Sequence, residues 1–492
     1  MSANYGERLL EFMAVGFSNP LIADLIGELA SRQPKSAAKI EALKQRSVSN
    51  CVLWPFHAVQ LPTCIDTAEG GRVTDIDGNQ YIDLFLGFGT QALHGHNHPF
   101  VTGMVKEQLG RTVGNGYFHD LELKYTQLMS EMVPHREKWA FLHSGTDAMT
   151  AAVRLARAKT GKKLIIKFEG AIHGTQDWAM HNTFAFMHGN PAIPFPPRAG
   201  DGFEAVSYAL GTVRPDETEV LTLANHDPNA LEIIERRKDE IAAVLGEPAD
   251  TAFPFEAQSV PYMRAVAKRC QELGVIFILD ECQTGFRCGQ AGASGTHDIP
   301  ADLIVYGKVL SGLGIPFSAV AGRGDLLDMA CTSGIALTDY GHKTTLMTTH
   351  MGNHIAMLAS YASLKLLQDK GDAYYEEVRL RKGILTDRMT HIRETHQIPI
   401  HLVGYGDFNG SFLFIDEDRD IKNARDLAHA ANPVAALTLS LMLRRAGFYT
   451  YSLPFLFLGG AHERDDIVHL ANTVEQCVLD MKNAGIPFSV PR

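Results

Sequence analysis

Between about residue 100 and residue 325 the chain repeats one pattern, in which a helical stretch is followed by a short run of β-type residues. One such stretch, PYMRAVAKRCQELG, ends at Gly274, a residue suited to ending a helix, and the apolar run VIFIL follows directly. Because parallel strands need a crossover between them, this alternation predicts an α/β fold with a doubly wound, mostly parallel sheet.

The segments on either side of this region have a different character. The first fifty residues have helical spacing with a break at Pro34. Short β-type runs separated by glycine-containing turns extend from Thr67 to Asp83 and predict a small antiparallel sheet, and a long helical stretch after Thr349 leads into an α+β tail. We therefore expect a helical N-terminal extension (residues 1–50), a large α/β domain (101–349) and a small α+β domain (51–100 and 350–492).

Charge and composition exclude several classes of protein. The chain has 56 acidic against 45 basic residues, a net charge of -11, and no cluster of Lys and Arg, so nucleic acid is not an expected partner. No apolar run reaches the roughly 18 residues that a membrane helix needs, and Glu7 lies where a signal peptide has a basic region. We expect no membrane partner and a cytoplasmic location.

The cysteines and the glycine-lysine pairs exclude further classes. Seven cysteines are scattered from Cys51 to Cys477 without a CxxC pair or a zinc-like grouping, so we interpret them as reduced thiols. The sequences around Gly161-Lys162 and Gly307-Lys308 both lack the residues that complete a nucleotide P-loop. This argues against a P-loop kinase or ATPase.

Three apolar runs of the α/β region end in ionisable side chains. Glu247 follows IAAVLG, Asp280 and Glu281 follow VIFIL, and Lys308 follows DLIVYG. In open α/β sheets, ligands bind beyond the carboxyl ends of the strands. These strand ends therefore form a candidate site.

Lysine at such a place has a specific use. A partly desolvated ε-amine loses its proton readily and forms an imine with an aldehyde, and pyridoxal 5'-phosphate supplies that aldehyde. This cofactor also needs an acid that keeps its pyridine nitrogen protonated, a role that suits Asp280. Lys308 and Asp280 together predict a site for pyridoxal 5'-phosphate.

The segment HSGTDAMTAAVRLARAKTG offers a place for the phosphate group. Ser144, Gly145 and Thr146 open an apolar-periodic helix, and Ser144 with Asp147 fits the capping-box pattern. Free backbone amides and the positive end of the helix make an anion site there. The alternative is that Ser144 only caps its own helix, as serine does in many helices.

Seven motifs occur along the chain in one order: DIDGNQYIDL, GHNHP, SGTDAMTAAVRLARAKTG, IIKFEGAIHG, EPAD, ILDECQTGFR and ADLIVYGKVLSGLGIPFSAVAGR. With these motifs the chain from about Thr67 onward resembles the class III aminotransferases, and most closely the branch that contains glutamate-1-semialdehyde 2,1-aminomutase. The resemblance implies the fold-type I architecture of pyridoxal-phosphate enzymes and a homodimer with active sites at the interface.

The resemblance also implies a role for individual residues. Lys308 would form the Schiff base and carry the proton, and Asp280 would pair with the pyridine nitrogen. The implied roles of the others are phosphate binding by Gly145 and Thr146 beside Ser144, contact with the ring hydroxyl by Gln283, support beside Asp280 by Glu247, and contact with the phosphate of the neighbouring subunit by Thr349.

Two alternatives for other residues are judged against this resemblance. His94, His96 and His98 alternate as metal ligands sometimes do, but GHNHP resembles a structural loop of the family, and we favour that interpretation. Lys167 ends the apolar run LIIKF and is the rival lysine. It lies in the segment that resembles the ring-contact strand, so we expect a structural or solvated role.

The chain departs from the family pattern at the cofactor ring. Ile172 stands where the family usually has an aromatic residue stacked on the pyridine ring, so we expect an aliphatic ring contact. His173, next to it, is expected to pack and to form a hydrogen bond at the cofactor site rather than to act in catalysis. Asp147 replaces the usual glutamate of the helix-opening motif.

The chain also departs from the pattern where the substrate is recognised. Leu53 or Trp54 aligns with the arginine that holds a substrate carboxylate in the aminomutase, and Ala252 replaces a glutamate of other class III enzymes. A buried carboxylate without a cationic partner is costly. We therefore expect a donor other than a simple glutamate-semialdehyde analogue, and Trp54 with Phe56 favours a hydrophobic or bulky amine. An arginine from another loop remains an alternative.

The sequence predicts an aminotransferase that moves an amino group between an amine or amino-acid donor and a carbonyl acceptor through a Lys308 Schiff base. An intramolecular aminomutase or an epimerase would use the same machinery and is not separated from it by the sequence. A third alternative is a cofactor-binding or interaction protein that has lost activity. Ile172 and the missing arginine favour this alternative, whereas Lys308 and Asp280 oppose it.

Overall fold

The computed structural model describes residues 14–48, 61–183, 195–207, 209–216, 219–249, 251, 253–450 and 455–490. The chain divides into two compact units. The larger one comprises Pro99–Ala185 and Phe195–Tyr375, and the described residues before Pro99 and after Tyr375 belong to the smaller one. These units differ from the predicted domains by placing residues 14–48 in the smaller unit and residues 350–375 in the larger. The assignment of domains itself stays a prediction.

A nine-stranded sheet forms the centre of the larger unit, with the strand order β4-β12-β11-β10-β9-β5-β8-β7-β6. Five neighbouring strands, β8, β5, β9, β10 and β11, run parallel, and antiparallel pairs flank them on both sides. The strands are β4 (Lys138–Leu142), β5 (Leu164–Phe168), β6 (Arg198–Ala199), β7 (Gly202–Phe203), β8 (Val220–Leu223), β9 (Ile241–Gly246), β10 (Phe277–Asp280), β11 (Leu303–Tyr306) and β12 (Ser318–Gly322). The predicted mostly parallel α/β sheet is confirmed.

Helices pack against this sheet and explain why its central strands are continuous apolar runs. Every residue of β5, β9, β10 and β11 is buried, as expected for strands that are covered on both faces. The helices of the larger unit are Pro99–Gln108, Asp120–Met132, Gly145–Thr160, Ala230–Arg237, Glu256–Leu273, Gly292–Thr296, Gly324–Leu327, Ala336–Asp339 and His354–Lys370. Short 3-10 turns lie at Leu109–Arg111, Lys308–Leu310 and Gly312–Gly314.

The helix Gly145–Thr160 positions the site, because its first residues lie at the strand ends. Its alanine-rich face, which includes Ala151, Ala152 and Ala156, belongs to the apolar core formed with the sheet. The helix ends at Gly161, whose φ of 68° lies in the left-handed region that glycine tolerates best. The helix Glu256–Leu273 ends in the same way at Gly274, as predicted.

The smaller unit contains two sheets, with strand orders β1-β2-β3-β15 and β13-β14-β16. The predicted antiparallel arrangement of the segment around Thr67–Asp83 is confirmed for β1, β2 and β3, and β15 adds a parallel strand. The strands are β1 (Ile65–Glu69), β2 (Arg72–Asp75), β3 (Gln80–Asp83), β13 (Ile400–Val403), β14 (Asn409–Phe414), β15 (Phe448–Tyr449) and β16 (Phe455–Phe457).

The helices of the smaller unit include two near the N-terminus, within the predicted helical extension. The helices are Pro20–Ser31, Pro34–Lys44, Ala424–Ala430, Pro433–Arg445 and Arg464–Asn483, together with Asp372–His396 beyond its first four residues. Over the part of the chain that the structure describes, no helix combines the length and apolarity needed to cross a membrane.

Candidate active site

Three neighbouring parallel strands bring the predicted residues to one edge of the large sheet. In the pairing of β10 with β9, Leu279 lies opposite Gly246, so Glu247 and Asp280 are the next residues on their two strands. On the other side Asp280 lies opposite Val305 of β11, three residues before Lys308. The parallel register therefore gathers these three side chains at the carboxyl ends of the strands.

Asp280 is a buried acid of this edge with two hydrogen-bond partners. Its side chain is buried, Nδ1 of His173 lies 2.9 Å from Oδ2, and the backbone N–H of Cys282 donates to Oδ1 at 3.0 Å. Burial alone would raise the pKa of the Asp280 carboxyl, but the hydrogen bond and charge of His173 and the Cys282 N–H outweigh it and lower that pKa. Asp280 is therefore an anion at neutral pH, suited to pairing with a protonated ring nitrogen.

His173 is more closely tied to Asp280 than the sequence indicated. The two residues lie 107 positions apart in the chain, and the imidazole side chain has no exposed surface. Its Nε2 is buried without a hydrogen-bond partner among the described residues. The predicted hydrogen-bonding role of His173 thus has a specific partner, because the imidazole orients the Asp280 carboxylate.

Glu247 holds the backbone beside this pair. Its Oε1 accepts from the N–H of Ile172 at 3.0 Å, and its Oε2 accepts from the N–H and the hydroxyl of Thr251 at 2.8 and 3.1 Å. Burial raises the pKa of the Glu247 carboxyl, and the negative charge of Asp280 acts in the same direction. Glu247 therefore fixes Ile172, the residue expected to contact the cofactor ring.

Lys308 lies two residues after β11 in an unusual backbone conformation. Its φ of 42° is in the left-handed region, which side chains other than glycine rarely adopt. Within the described part of the chain, Nζ donates no hydrogen bond. Burial lowers the pKa of the Lys308 ammonium group, and the positive charge of Arg287 adds to that effect. The amine is thus more readily deprotonated than that of an exposed lysine.

The anion site is predicted at the start of the helix Gly145–Thr160. Ser144 is its N-cap: the Asp147 N–H donates to Ser144 Oγ at 3.2 Å, and this hydroxyl donates to Asp147 Oδ2 at 2.9 Å. Only one half of the predicted capping box is therefore present, because the Asp147 carboxylate accepts from the hydroxyl. With the Ser144 hydroxyl engaged in capping, the amides of Gly145 and Thr146 are the groups that an anion would meet.

Glycines allow neighbouring segments to approach the start of the helix Gly145–Thr160 closely. A Cβ on Gly145 would lie 2.8 Å from Sγ of Cys282, and one on Gly307 would lie 3.1 Å from the same sulfur. Gly174 has a φ of 105°, and a Cβ there would come within 2.9 Å of the Thr146 hydroxyl oxygen. The residues after β10, β11 and His173 therefore converge on the start of the helix.

Cys282 and Arg287 are site residues that the sequence analysis did not single out. Cys282 lies shortly after β10, and its sulfur is so near Gly145 and Gly307 that a Cβ on either would come within 2.8 or 3.1 Å of it. Arg287 is buried and donates from Nη1 to the side-chain and backbone oxygens of Gln283, both at 3.1 Å. The only sequence signal was position, since both residues lie within the motif ILDECQTGFR.

Several candidates have other roles. Glu281 accepts from the N–H groups of Ala293 and Ser294 at 2.7 and 2.8 Å, and thereby caps the helix Gly292–Thr296. Lys167 is fully buried and donates to two backbone carbonyls at 2.8 and 2.7 Å, which is a structural role and not a solvated one. In the smaller unit, His96 lies 2.8 Å from Asp83 through Nε2.

Two further groups of predicted residues are not tested by this geometry. Thr349 is exposed in the loop that follows Ala336–Asp339, and its contact with a neighbouring subunit stays a prediction. The positions aligned with substrate recognition, Leu53, Trp54, Phe56 and Ala252, lie outside the described residues.

The donor atoms at the strand ends fit pyridoxal 5'-phosphate better than a metal ion. His173, Glu247 and Asp280 bring ligand atoms within 4.8 Å of one another. However, both oxygens of Glu247 accept from Thr251 or Ile172, and Asp280 is bonded to His173, so these groups already have partners. A free amine, an anionic carboxylate and a helix N-terminus are the features that the imine, the ring nitrogen and the phosphate of the cofactor require.

Comparison with known proteins agrees with this fit. Residues 55–452 match the family model described as aminotransferase class-III. Glutamate-1-semialdehyde 2,1-aminomutase 2 of Exiguobacterium sp. is 30% identical over 426 residues, which cover 86% of this chain and 91% of that protein. Glutamate-1-semialdehyde 2,1-aminomutase 1 of Lachnoclostridium phytofermentans is 29% identical over 419 residues, covering 84% and 91%.

Solved structures share the fold at lower identity. A β-phenylalanine aminotransferase from Variovorax paradoxus has a TM-score of 0.78 at 22% identity, with 94% of this chain and 98% of that chain covered. A glutamate-1-semialdehyde aminomutase from Pseudomonas aeruginosa has a TM-score of 0.77 at 22% identity, covering 96% and 99%. The chain belongs to the class III aminotransferase family, and its cofactor is pyridoxal 5'-phosphate.

Proposed function

We propose that the chain transfers an amino group from an amine or amino-acid donor to a carbonyl acceptor, with Lys308 as the residue that binds the cofactor covalently. The observation that carries this proposal is the Lys308 amine, which lies beside Asp280 at the strand ends and whose pKa is lowered by burial. When bound, pyridoxal 5'-phosphate supplies an electron sink for the charge that remains after a substrate loses a proton.

The neighbouring residues have separate tasks in this proposal. Asp280, held by His173, keeps the ring nitrogen protonated through its negative charge. The amides of Gly145 and Thr146 bind the phosphate at the helix N-terminus. Ile172, fixed by Glu247, packs on the ring, and Gln283 donates to the ring hydroxyl oxygen.

Lys308 itself moves the proton. A lysine with a lowered pKa is neutral in a larger fraction of molecules and accepts a proton from the substrate carbon more readily. Its backbone conformation is fixed by the short turn Lys308–Leu310, in which the N–H of Ser311 donates to the Lys308 carbonyl at 2.8 Å. The turn limits the directions that the amine reaches.

The first experiment tests the covalent role of Lys308. The parent protein, mixed with pyridoxal 5'-phosphate, is expected to develop visible absorbance that survives gel filtration. Borohydride reduction followed by peptide mass analysis should then place the cofactor on Lys308. Lys308→Ala should lose this modification, and Lys167→Ala, which removes the rival lysine, should retain it if the variant folds. A modified Lys167 peptide, or no absorbance in the parent, would contradict the proposal.

An intramolecular aminomutase is the second candidate, and the names of the relatives at 29–30% identity favour it. The two functions differ in whether a carbonyl compound leaves the enzyme. With an amine donor and no acceptor, amino transfer releases up to one equivalent of free carbonyl product per site. An isomerised product formed in many turnovers without an acceptor would instead establish the mutase, and an inverted stereocentre would indicate an epimerase.

The substrate class is the part of the proposal that rests on sequence alone. We propose a hydrophobic or bulky amine donor, because Trp54 and Phe56 stand near the position of the family arginine. Matched donors with and without a carboxylate, such as an arylalkyl amine and the corresponding β-amino acid, test this directly. A preference for the acid by more than about tenfold in kcat/KM, about 1.4 kcal/mol, would indicate a cationic carboxylate site instead.

We also propose a homodimer, and exposed apolar side chains near Thr349 support it. Phe118 is fully exposed, and Leu337 and Met347 are also largely exposed. The segments that carry Phe118 and Met347 meet, because Nδ2 of Asn115 lies 2.8 Å from Nδ1 of His350. Such a concentration of apolar surface is typical of a subunit interface.

Sedimentation measures this assembly. The parent is expected at twice 54.0 kDa, and Phe118→Asp should shift it toward the monomer by placing a charge in the interface. Leu210→Asp is the matched control, because Leu210 is equally exposed but lies in a different loop of the same unit. A parent that sediments as a monomer at all concentrations would contradict the proposal.

A further inference from the structure

Arg287 is the bulkiest of the fully buried side chains among the described residues, with 1% of its surface exposed. A buried guanidinium group loses a large hydration energy and is retained where neighbouring groups use its charge and its donors. Arg287 follows Gln283 by four residues and Asp280 by seven. Its contact with Gln283 places it beside one of the predicted site residues.

The contact between Arg287 and Gln283 defines the orientation of an amide. Nη1 of Arg287 lies 3.1 Å from Oε1 of Gln283 and 3.1 Å from its backbone oxygen. Arginine has only donors, so the Gln283 atom that faces it must be the oxygen. The other end of the amide, Nε2, is consequently a donor, and it has no acceptor among the described residues.

The orientation of the Gln283 amide determines which kind of ligand atom can bind next to Nε2. An N–H donor stabilises an oxygen that carries negative charge, and it would be left unpaired opposite another donor. If the amide rotated by 180°, it would present its oxygen and repel an anion. The positive charge of Arg287 also acts on the site, since it lowers the pKa of Lys308 in addition to the larger effect of burial.

We propose that Arg287 is a positioning residue, which locks the Gln283 amide with its Nε2 group toward the ring oxygen of the cofactor and so keeps that oxygen anionic. This inference rests on the proposed function, because Gln283 acts on the cofactor. Arg287 acts on the ring oxygen through Gln283, in addition to the effect of its charge on Lys308. The ligand group recognised at this point is a phenolate-type oxygen, not a hydroxyl that must donate.

The test uses the full-length protein with bound cofactor and measures the pH midpoint of its visible absorbance. Gln283→Ala removes the donor, and Arg287→Met removes the residue that orients it. Each change leaves the ring oxygen anion less stabilised, so each is expected to raise the midpoint by about one pH unit. Arg287→Lys retains one donor and the charge and should give a smaller rise.

The double variant decides whether Arg287 acts through Gln283. In the Gln283→Ala background, Arg287→Met should add less than half of the shift that it causes in the parent, since residues that act as a unit are not additive. Equal shifts in both backgrounds would overturn the proposal and assign Arg287 a direct charge effect. If Arg287→Met fails to fold, Arg287→Lys in the two backgrounds makes the same comparison.

Controls separate this inference from the proposed function. Arg264→Met removes a partly buried arginine of the same unit that donates to the His297 carbonyl at 2.7 Å, and it should leave the midpoint unchanged. Failure of the parent to bind pyridoxal 5'-phosphate at Lys308 would contradict the proposed function itself. Normal binding in the parent, with a shift in Gln283→Ala but none in Arg287→Met or Arg287→Lys, would contradict only the role of Arg287.

Discussion

Two clusters of histidine and carboxylate have similar geometry but lie in very different surroundings. In the larger unit, His173 lies 2.9 Å from Asp280, and both side chains are buried. In the smaller unit, Nε2 of His396 lies 3.1 Å from Glu475, with His391 at 3.4 Å, and Arg388 pairs with the same carboxylate. The distances do not distinguish the two clusters. They differ in burial and in the identity of the neighbouring residues.

The two histidines differ in how strongly they affect the charge of their carboxylates. Water competes for the partly exposed Glu475 cluster, so its ion pairs contribute little to stability. Around Asp280 the contact with water is lost, and burial works against the ionised acid. The hydrogen bonds from His173 and the Cys282 N–H therefore offset burial and keep Asp280 charged, whereas Glu475 would remain charged without His396.

The largest effect is expected from Asp280→Asn, which keeps the size of the side chain but removes its charge. Without an anion beside the ring nitrogen, turnover should fall by about 100- to 1000-fold, the range observed when a group that stabilises developing charge is removed. Steady-state kinetics measures this, with cofactor content checked by absorbance. Glu281→Gln is the matched control, because it should lower stability but leave the turnover of the folded enzyme near that of the parent.

His173→Phe should have a smaller effect with a distinct pH dependence. With the hydrogen bond gone, burial dominates and raises the pKa of Asp280, so the acid limb of the pH–rate profile moves to higher pH. We expect a loss of roughly tenfold at neutral pH, since His173 orients a catalytic group without replacing it. His396→Phe is the control in the exposed cluster, and an equal shift of the acid limb there would show that burial is not the cause.

The smallest effect is expected from Glu475→Gln. Burial raises the pKa of Glu475, but the His396 hydrogen bond and Arg388 outweigh it and lower the pKa below its ordinary value. Its contribution is therefore complete above the ordinary glutamate pKa and disappears as the pH falls through the folded-state value. Urea unfolding at neutral pH should show a loss of under about 1 kcal/mol, decreasing at acid pH. A loss that grows at acid pH would contradict the assignment.

The sequence predicted the features that depend on residues near one another in the chain. Gly274 ends its helix, and Asp280 and Lys308 lie at strand ends, because apolar runs and turn residues report the secondary structure around them. The link between His173 and Asp280 spans 107 positions and depends on the order of the strands. No local pattern contains that order.

Lys167, Lys308 and Cys282 also show that a sequence pattern does not reveal the surroundings of a side chain. Lys167 and Lys308 both follow apolar residues and look alike in sequence, yet the first is satisfied by buried carbonyls and the second is not. The Cys282 sulfur fits beside Gly145 and Gly307 because these residues have no Cβ, and a pattern of apolar residues does not predict such a contact. Burial and close approach decide between such alternatives, and both are properties of the assembled sheet.

The helix cap formed by Glu281 has a consequence for the pair of acids in DECQTG. Asp280 bonds to His173 and Cys282, whereas its neighbour bonds to the start of the helix Gly292–Thr296. One peptide unit thus joins Asp280, to which we assign a task at the cofactor, to Glu281, which supports the local fold. The order of the two acids cannot be exchanged, even though their charges are equal. A chain that carries ED in place of DE would lose its reactivity and its local support together.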